Sequence, residues 1–209
     1  MKKILFLLLF LFALTTAFAQ KSFEGEVMYS INIKSNNPNV TTERLTSLVG
    51  TVQHYYMKGS NYKSTFNGKA SEWQLYLNKK LYFKLSGKDT IYWQDVTSNP
   101  DSLYKTELRK NDTTILGYQC DKLTFTCSTG IQVYYFNAQF SVDPNLYHNA
   151  DYGNWYTYLK NSRSIALKEV FYKKFYTVTL TATSIAPGKL NDTLFQLPEG
   201  IPIIENPAK

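Results

Sequence analysis

Between Tyr55 and Lys110 the chain reverses direction again and again, and this rhythm restricts the possible folds more than any other feature. Short runs rich in apolar and aromatic residues at 55–58, 62–66, 72–78, 81–86, 90–95 and 103–110 are separated by Gly59-Ser60-Asn61, Asn67-Gly68-Lys69, Asn78-Lys79-Lys80, Gly87-Lys88-Asp89 and Ser98-Asn99-Pro100-Asp101. Glycine supplies positive φ, and Asn, Asp and Ser close turns on their own backbone, so each separator reads as a hairpin connection. Runs this short, joined this tightly, build an antiparallel meander.

Alternation within the runs assigns two faces. One carries Trp73, Leu75, Leu77, Leu81, Phe83, Leu85, Ile91 and Trp93, and the other Glu72, Gln74, Lys84 and Gln94. A sheet with one covered and one wet face produces that division. Tyr76, Tyr82 and Tyr92 fall on the wet side, where tyrosine tolerates half-exposure. The same period-two pattern marks 23–33 (Val27, Tyr29, Ile31, Ile33), 118–127, 131–136, 165–172 and 175–185. The last run extends to roughly 36 Å, a length suited to a strongly curved sheet or open barrel.

Helical signals are few. Thr41 or Thr42 can cap, Glu43 follows in the first turn, and Leu45, Leu48, Val49 and Val52 recur at helical spacing, which predicts a short helix over one face of the sheet. After Pro144 the strand pattern pauses at 145–149 and 153–161, where Trp155, Tyr158 and Leu159 predict one or two short helices or an ordered lid.

The first residues speak to compartment. Lys2 and Lys3 precede an unbroken apolar run from Ile4 to Leu14, and Ala17-Phe18-Ala19 before Gln20 forms a small-x-small cleavage site, the pattern of a secretory signal peptide. Position 20 is Gln rather than the cysteine that a lipoprotein would acylate, and no second apolar run is long enough to span a bilayer. The expectation is a leader at 1–19 and a single periplasmic or secreted domain at 20–209. Its length suffices for one hydrophobic core. Removing residues 1–19 with their two lysines lowers the formal charge from +7 to +5. The remaining lysines and arginines are spread along the chain, and export excludes the usual nucleic-acid partners.

Reactive chemistry is sparse. The chain holds two cysteines and two histidines, without HExxH, CxxC, a GxSxG elbow or a phosphate-binding glycine loop, so no metal, cofactor or catalytic triad is indicated. Cys120 and Cys127 lie seven apart on one predicted strand, which places them on opposite faces with Cα atoms roughly 23 Å apart. A disulfide needs about 7 Å, so both are expected to be free, buried packing thiols. Glu26, Glu107 and Glu169 are strand carboxylates, and two acids facing one another could serve glycoside hydrolysis. Glu169 shares its face with Leu167 and Phe171, so its burial decides its interest. The more ordinary reading pairs it with a lysine or arginine.

Gly117-Tyr118-Gln119-Cys120 resembles the "GYkC" signature of small exported proteins common in Bacteroidota, whose domains look like the lipoprotein-carrier (LolA/LolB-like) superfamily. "FEGEVMYS" from Phe23, "YYMKGSNYKSTF" from Tyr55, "VYYFN" from Val133 and "NDTLFQLPEG" from Asn191 are similar to further family segments. Val133-Tyr134-Tyr135 lacks the tryptophan usual there. The resemblance implies a mainly β fold (α+β), a curved antiparallel sheet forming an incomplete barrel whose concave side is covered by a few short helices and can hold acyl chains. Four Asp-Ser/Thr triplets, at Asp89, Asp101, Asp112 and Asp192, also resemble the O-glycosylation acceptor pattern of that phylum, and turn chemistry at strand ends accounts for them as well.

The expected function is a non-enzymatic binding or carrier domain for an apolar ligand such as a lipid or lipoprotein acyl chain. Candidate lining residues are Trp73, Leu75, Phe83, Trp93, Tyr135, Phe171 and Leu180, with Leu48 and Trp155 on covering helices. The alternative is an exported structural or interaction protein of the envelope, with a filled core. The partners expected are lipid, acylated protein or envelope proteins, without a membrane span.

Overall fold

A computed structural model describes residues 22–207 of the 209-residue chain; the expected leader lies outside the described residues. Twelve strands form one curved sheet: β1 (Gly25–Ser35), β2 (Val52–Lys58), β3 (Asn61–Phe66), β4 (Ser71–Leu77), β5 (Lys80–Leu85), β6 (Ile91–Asp95), β7 (Leu103–Ile115), β8 (Tyr118–Cys127), β9 (Gly130–Ser141), β10 (Ser164–Lys173), β11 (Tyr176–Pro187) and β12 (Ile203–Glu205). Their spatial order is β12-β6-β5-β4-β3-β2-β1-β11-β10-β9-β8-β7. Two meanders, β2 to β6 and β7 to β11, are therefore joined by β1, which pairs with β2 on one side and β11 on the other. The edge strands β12 and β7 do not meet, so the barrel is incomplete.

Two short α-helices and three 3-10 turns make up the other regular elements among the described residues. Helix α1 (Thr42–Val49) begins where the threonines predict, with the Thr41 side chain accepting from Arg44 N, and packs on β1. Helix α2 (Trp155–Ser162) follows 3-10 turns at Pro144–Tyr147 and Tyr152–Asn154. This 144–162 segment covers the concave side, where Tyr158 stacks on Tyr134 at 4.3 Å and Tyr147 Oη donates to Gly59 O at 3.0 Å. Among the described residues no helix is long and apolar enough to cross a membrane.

Strand positions follow the sequence reading closely, but the faces of the first meander do not. The β4–β5 hairpin turns on two residues, Asn78 and Lys79, both at positive φ (52° and 65°), and so pairs Leu77 with Lys80 and Tyr76 with Leu81. A three-residue separator shifts the pairing by one, and a one-residue shift exchanges the faces. Leu81 and Phe83 thus share the inner, concave face with Tyr76 and Gln74. The β5–β6 register reverses the expected phase again, leaving Trp73, Leu75, Ile91 and Trp93 together on the outer face.

That outer face is partly covered. The C-terminal segment returns across it: Lys58 Nζ meets Asp192 at 2.8 Å and donates to Leu190 O at 2.7 Å, the 3-10 turn Asp192–Phe195 packs on β3, and β12 runs parallel to β6. Leu75 and Ile91 are fully buried there.

The cysteines also depart from simple alternation. Register between β7 and β8 shifts between Arg109 and Thr113, where Asn111 adopts positive φ and its N–H donates to Asp121 Oδ1 at 3.0 Å. Across this irregularity Cys120 and Cys127 join the same buried cluster instead of facing opposite ways. Both thiols are free, and burial pushes each above the usual thiol range.

Candidate functional site

A partly open cavity of about 280 Å³ lies on the concave face between the middle of the sheet and the covering segments. Strand β1 contributes Tyr29 and Ile31, β2 Gln53 and Tyr55, β3 Tyr62, Ser64 and Phe66, and β4 Gln74; β10 adds Ile165, Ala166, Glu169 and Phe171, and β11 Val178 and Leu180. Val49 closes it from α1 and Trp155 from α2. Twelve of these sixteen residues are aliphatic or aromatic, and none is Lys, Arg or His.

Pairing registers explain why these positions converge. Tyr29 lies opposite Gln53 and Ala182, Ile31 opposite Leu180, Leu180 opposite Glu169, and Val178 opposite Phe171, so one row of inward side chains crosses four neighbouring strands. Aromatic contacts extend that row: Tyr55 stacks on Tyr62 at 5.6 Å, Tyr62 on Tyr76 at 5.3 Å, and Trp155 meets Tyr62 edge-on at 5.9 Å. The rings hold one another in place, which keeps the wall rigid around an open volume.

Of the candidate lining residues, the structure gathers Phe171, Leu180 and Trp155 at this cavity. Phe83 is on the inner face but stacks on Tyr92 at 5.7 Å, outside the cavity lining. Leu48 is 40% exposed on α1, and its neighbour Val49 reaches the cavity in its stead. Leu75 is buried on the outer face. Trp73, Trp93 and Tyr135 lie on the outer face under lysines, with Lys63 Nζ 5.6 Å, Lys80 Nζ 3.6 Å and Lys168 Nζ 5.5 Å from the respective ring centres. Cation–ring contact with half-wet lysines suits an outer surface and accounts for these rings without a ligand.

The three strand carboxylates have different surroundings. Glu26 Oε1 meets His54 Nδ1 at 2.7 Å, and Glu107 forms an exposed pair with Lys105 at 2.9 Å. Glu169, half-buried in the cavity lining, has neither an ion pair nor a hydrogen bond among the described residues, and burial pushes its carboxyl up to about 7. Its charge raises the hydroxyls of Tyr29, Tyr55, Tyr62, Tyr134 and Tyr158, each already raised chiefly by burial. Gln53 Oε1, Tyr55 Oη and Trp155 Nε1 are buried and also lack partners among the described residues. Sequence alternation placed Glu169 beside Leu167 and Phe171; its want of a partner has no local signature. Gln74, assigned to the wet face from the sequence, is another lining residue that hairpin parity concealed.

Glu169 is the sole carboxylate of the lining, so the facing pair of acids required for glycoside hydrolysis is not assembled there. Among the described residues no group of three or more His, Cys, Asp and Glu is arranged to hold a metal ion.

The sequence matches no family model, and comparison with curated proteins gives no match. Solved structures similar to this chain include an uncharacterized conserved protein from Thermus thermophilus, with TM-score 0.48 and 8% identity over 88% of this chain and 91% of that one. PNGF-II has TM-score 0.44 and 16% identity over 88% of this chain and 31% of its own length. A LolA superfamily protein from Nitrosomonas europaea has TM-score 0.35 and 12% identity over 86% of this chain and 92% of that one. At these values the likenesses assign neither a family nor an activity.

Proposed function

We propose that residues 20–209 form a single exported, non-enzymatic binding or carrier domain for a ligand with an apolar body. The observation that carries this reading is the open volume itself: about 280 Å³ remains unfilled among side chains that otherwise pack tightly on the same face. Protein interiors ordinarily close such space, and a preserved apolar cavity is the usual form of a small-ligand site.

Binding would run on burial. Each CH₂ moved from water into such a cavity contributes roughly 0.8 kcal/mol, so no catalytic group is required. At ~30 Å³ per water-sized unit the space suits one short chain or a compact ring system better than two full acyl chains. Export rests on the charged, apolar and small-residue pattern of the first nineteen residues.

A second reading, an interaction protein of the envelope, is favoured by exposed Ile131, Tyr172, Phe175 and Tyr176 at the β9, β10 and β11 end of the sheet. Native mass spectrometry of protein purified gently from its own envelope, followed by denaturing extraction, separates the two. Near-stoichiometric co-purifying apolar ligand is the expected result. A clean apo mass, unchanged after incubation with phospholipid and acylated peptides, would overturn the binding proposal in favour of the interaction protein.

A further inference from the structure

Glu169 stands among aromatic and aliphatic groups without a counter-ion. The lining contains no Lys, Arg or His, and no hydrogen bond from the described residues reaches the carboxyl. Two further polar atoms of the same lining, the acceptor Gln53 Oε1 and the hydroxyl Tyr55 Oη, which can accept or donate, are buried without partners among the described residues; the Gln53 amide nitrogen is committed to Ser64 Oγ at 2.8 Å. An uncompensated carboxylate beside an unpaired acceptor and an unpaired hydroxyl is costly in a folded interior, and natural proteins satisfy such groups with protein, water or ligand. The walls add to the same preference, because the faces of Tyr, Trp and Phe rings attract cations.

We infer that the cavity selects a ligand whose apolar body ends in a protonated amine, with Glu169 as its counter-ion, Gln53 Oε1 and Tyr55 Oη as further acceptors for its N–H groups, and the rings as walls. The inference rests on the reading of the cavity as a ligand site and narrows its chemistry. An ammonium brings one positive charge and up to three donors, matching one carboxylate and two acceptors. A fatty carboxylate would place like charge beside Glu169 with no cation in reach. Trp155 Nε1, an unpaired donor of the lining, can take a hydroxyl or carbonyl oxygen elsewhere on the ligand.

Protons report on the same site. The titratable groups facing Glu169 are tyrosines: Tyr29 on β1, Tyr55 on β2, Tyr62 on β3, Tyr134 on β9 and Tyr158 on α2. All are raised above the ordinary tyrosine range and stay neutral below about pH 9, so Glu169 is the group that titrates near neutrality. Without ligand the carboxyl holds its proton up to about pH 7; a cation seated against it drives that proton off.

The test uses the mature protein and three probes of equal length, n-octylammonium, 1-octanol and octanoate, in calorimetric titrations near pH 8.5 and pH 6. Expected at pH 8.5 is binding of octylammonium at least tenfold tighter than octanol, with octanoate weakest. Glu169→Gln should abolish the preference for the amine, bringing the octylammonium and octanol affinities of the variant within about twofold of one another. Near pH 6, buffers of different ionisation enthalpy should show release of close to one proton per octylammonium bound by the parent protein, and none with octanol. This second readout needs no variant. Octanol binding as tightly as octylammonium, or an amine preference that survives Glu169→Gln, would overturn the inference and leave an apolar-ligand site standing. Failure of all three probes to bind would overturn the ligand-site reading and the inference with it.

Discussion

Asp101, which is buried, and Glu169, half-buried in the lining of the cavity, are two carboxylates treated in opposite ways. Asp101, at the entry to β7, accepts from Ser128 Oγ at 3.0 Å, Thr129 N at 2.9 Å, Thr129 Oγ1 at 2.6 Å, Gln132 Nε2 at 3.1 Å and Lys173 Nζ at 3.1 Å. It ties the β8–β9 turn and the end of β10 to the start of β7. Burial alone would raise it, but the bonds from Thr129, Lys173 and Ser128 outweigh burial and hold its carboxyl below the usual range. Glu169, on the same strand as Lys173, receives nothing and is raised by burial to about 7. A carboxylate with five donors holds structure together. One with none is a cost to the fold that a ligand can relieve.

The backbone around Asp101 is built to bring those donors in. Gly130, at φ 137°, follows the Ser128-Thr129 pair, and a Cβ there would come within 2.0 Å of Tyr172 O. Only glycine lets the β8–β9 turn lie against the end of β10 this closely. Beyond Asp101 the network continues inward: Tyr134 Oη donates to Gln132 Oε1 at 3.0 Å, and Asn99 Nδ2 to Asn154 Oδ1 at 2.6 Å. The contrast with the cavity, a few residues away along β10, is one of polar satisfaction rather than of depth.

The same chemical change should therefore have opposite effects at the two acids. Asp101→Asn replaces an acceptor by an amide that meets donors on every side and leaves Lys173 without its counter-charge; a loss of about 3–5 kcal/mol in urea unfolding is expected. Because the Asp101 carboxyl is depressed in the folded state, its contribution is present above the unfolded carboxylate range and is lost as pH falls through the folded value. The stability difference between parent and variant should shrink in acid. A variant within about 1 kcal/mol of the parent at neutral pH would remove the ground for the contrast.

Glu169→Gln should stabilise the empty protein instead. A carboxyl raised to about 7 when folded, against about 4.3 when unfolded, binds a proton in the folded state that the unfolded chain has released. Stability then falls as pH rises through that window, so the variant should match the parent near pH 4 and exceed it by about 3–4 kcal/mol at pH 8. A difference between variant and parent that is the same at both pH values would show that Glu169 is paired in solution after all.

The smallest effect belongs to a third acid. Glu107 lies 2.9 Å from Lys105 on the exposed edge strand β7, where both side chains are more than half accessible. Lys105→Ala should change stability by less than about 0.5 kcal/mol, with no marked dependence on pH. A change as large as that at Asp101 would mean that β7 is covered in solution.

Much of the fold is legible locally. The separators between strands are glycine, asparagine, aspartate and serine in short clusters, and the strands fall between them because turn chemistry and period-two patterning act over a few residues. Helix α1 starts at the threonine that caps it. The three-residue strand β12 has no such signature, since a short parallel strand owes its existence to β6 beside it. The site was legible only in part for a related reason. Phe171 and Leu180 sit on strands whose inward row is fixed by pairing across the middle of the sheet, and Trp155 lies on the covering helix. Trp73 and Trp93 belong to hairpins in which one residue of loop length decides which side a ring takes.

The sequence by itself determined a meander of short strands, the alternation along each of them, the capped helix and the presence of an acid between Leu167 and Phe171. Tertiary structure alone decided which face became the inside, that both cysteines share one cluster, and that Asp101 is surrounded by donors while Glu169 faces an open, apolar volume. Alternation is a property of one strand and can be read along the chain. Inside and outside, or paired and unpaired, are properties of registers and neighbours distant in sequence, and a single residue in a turn or bulge reverses them.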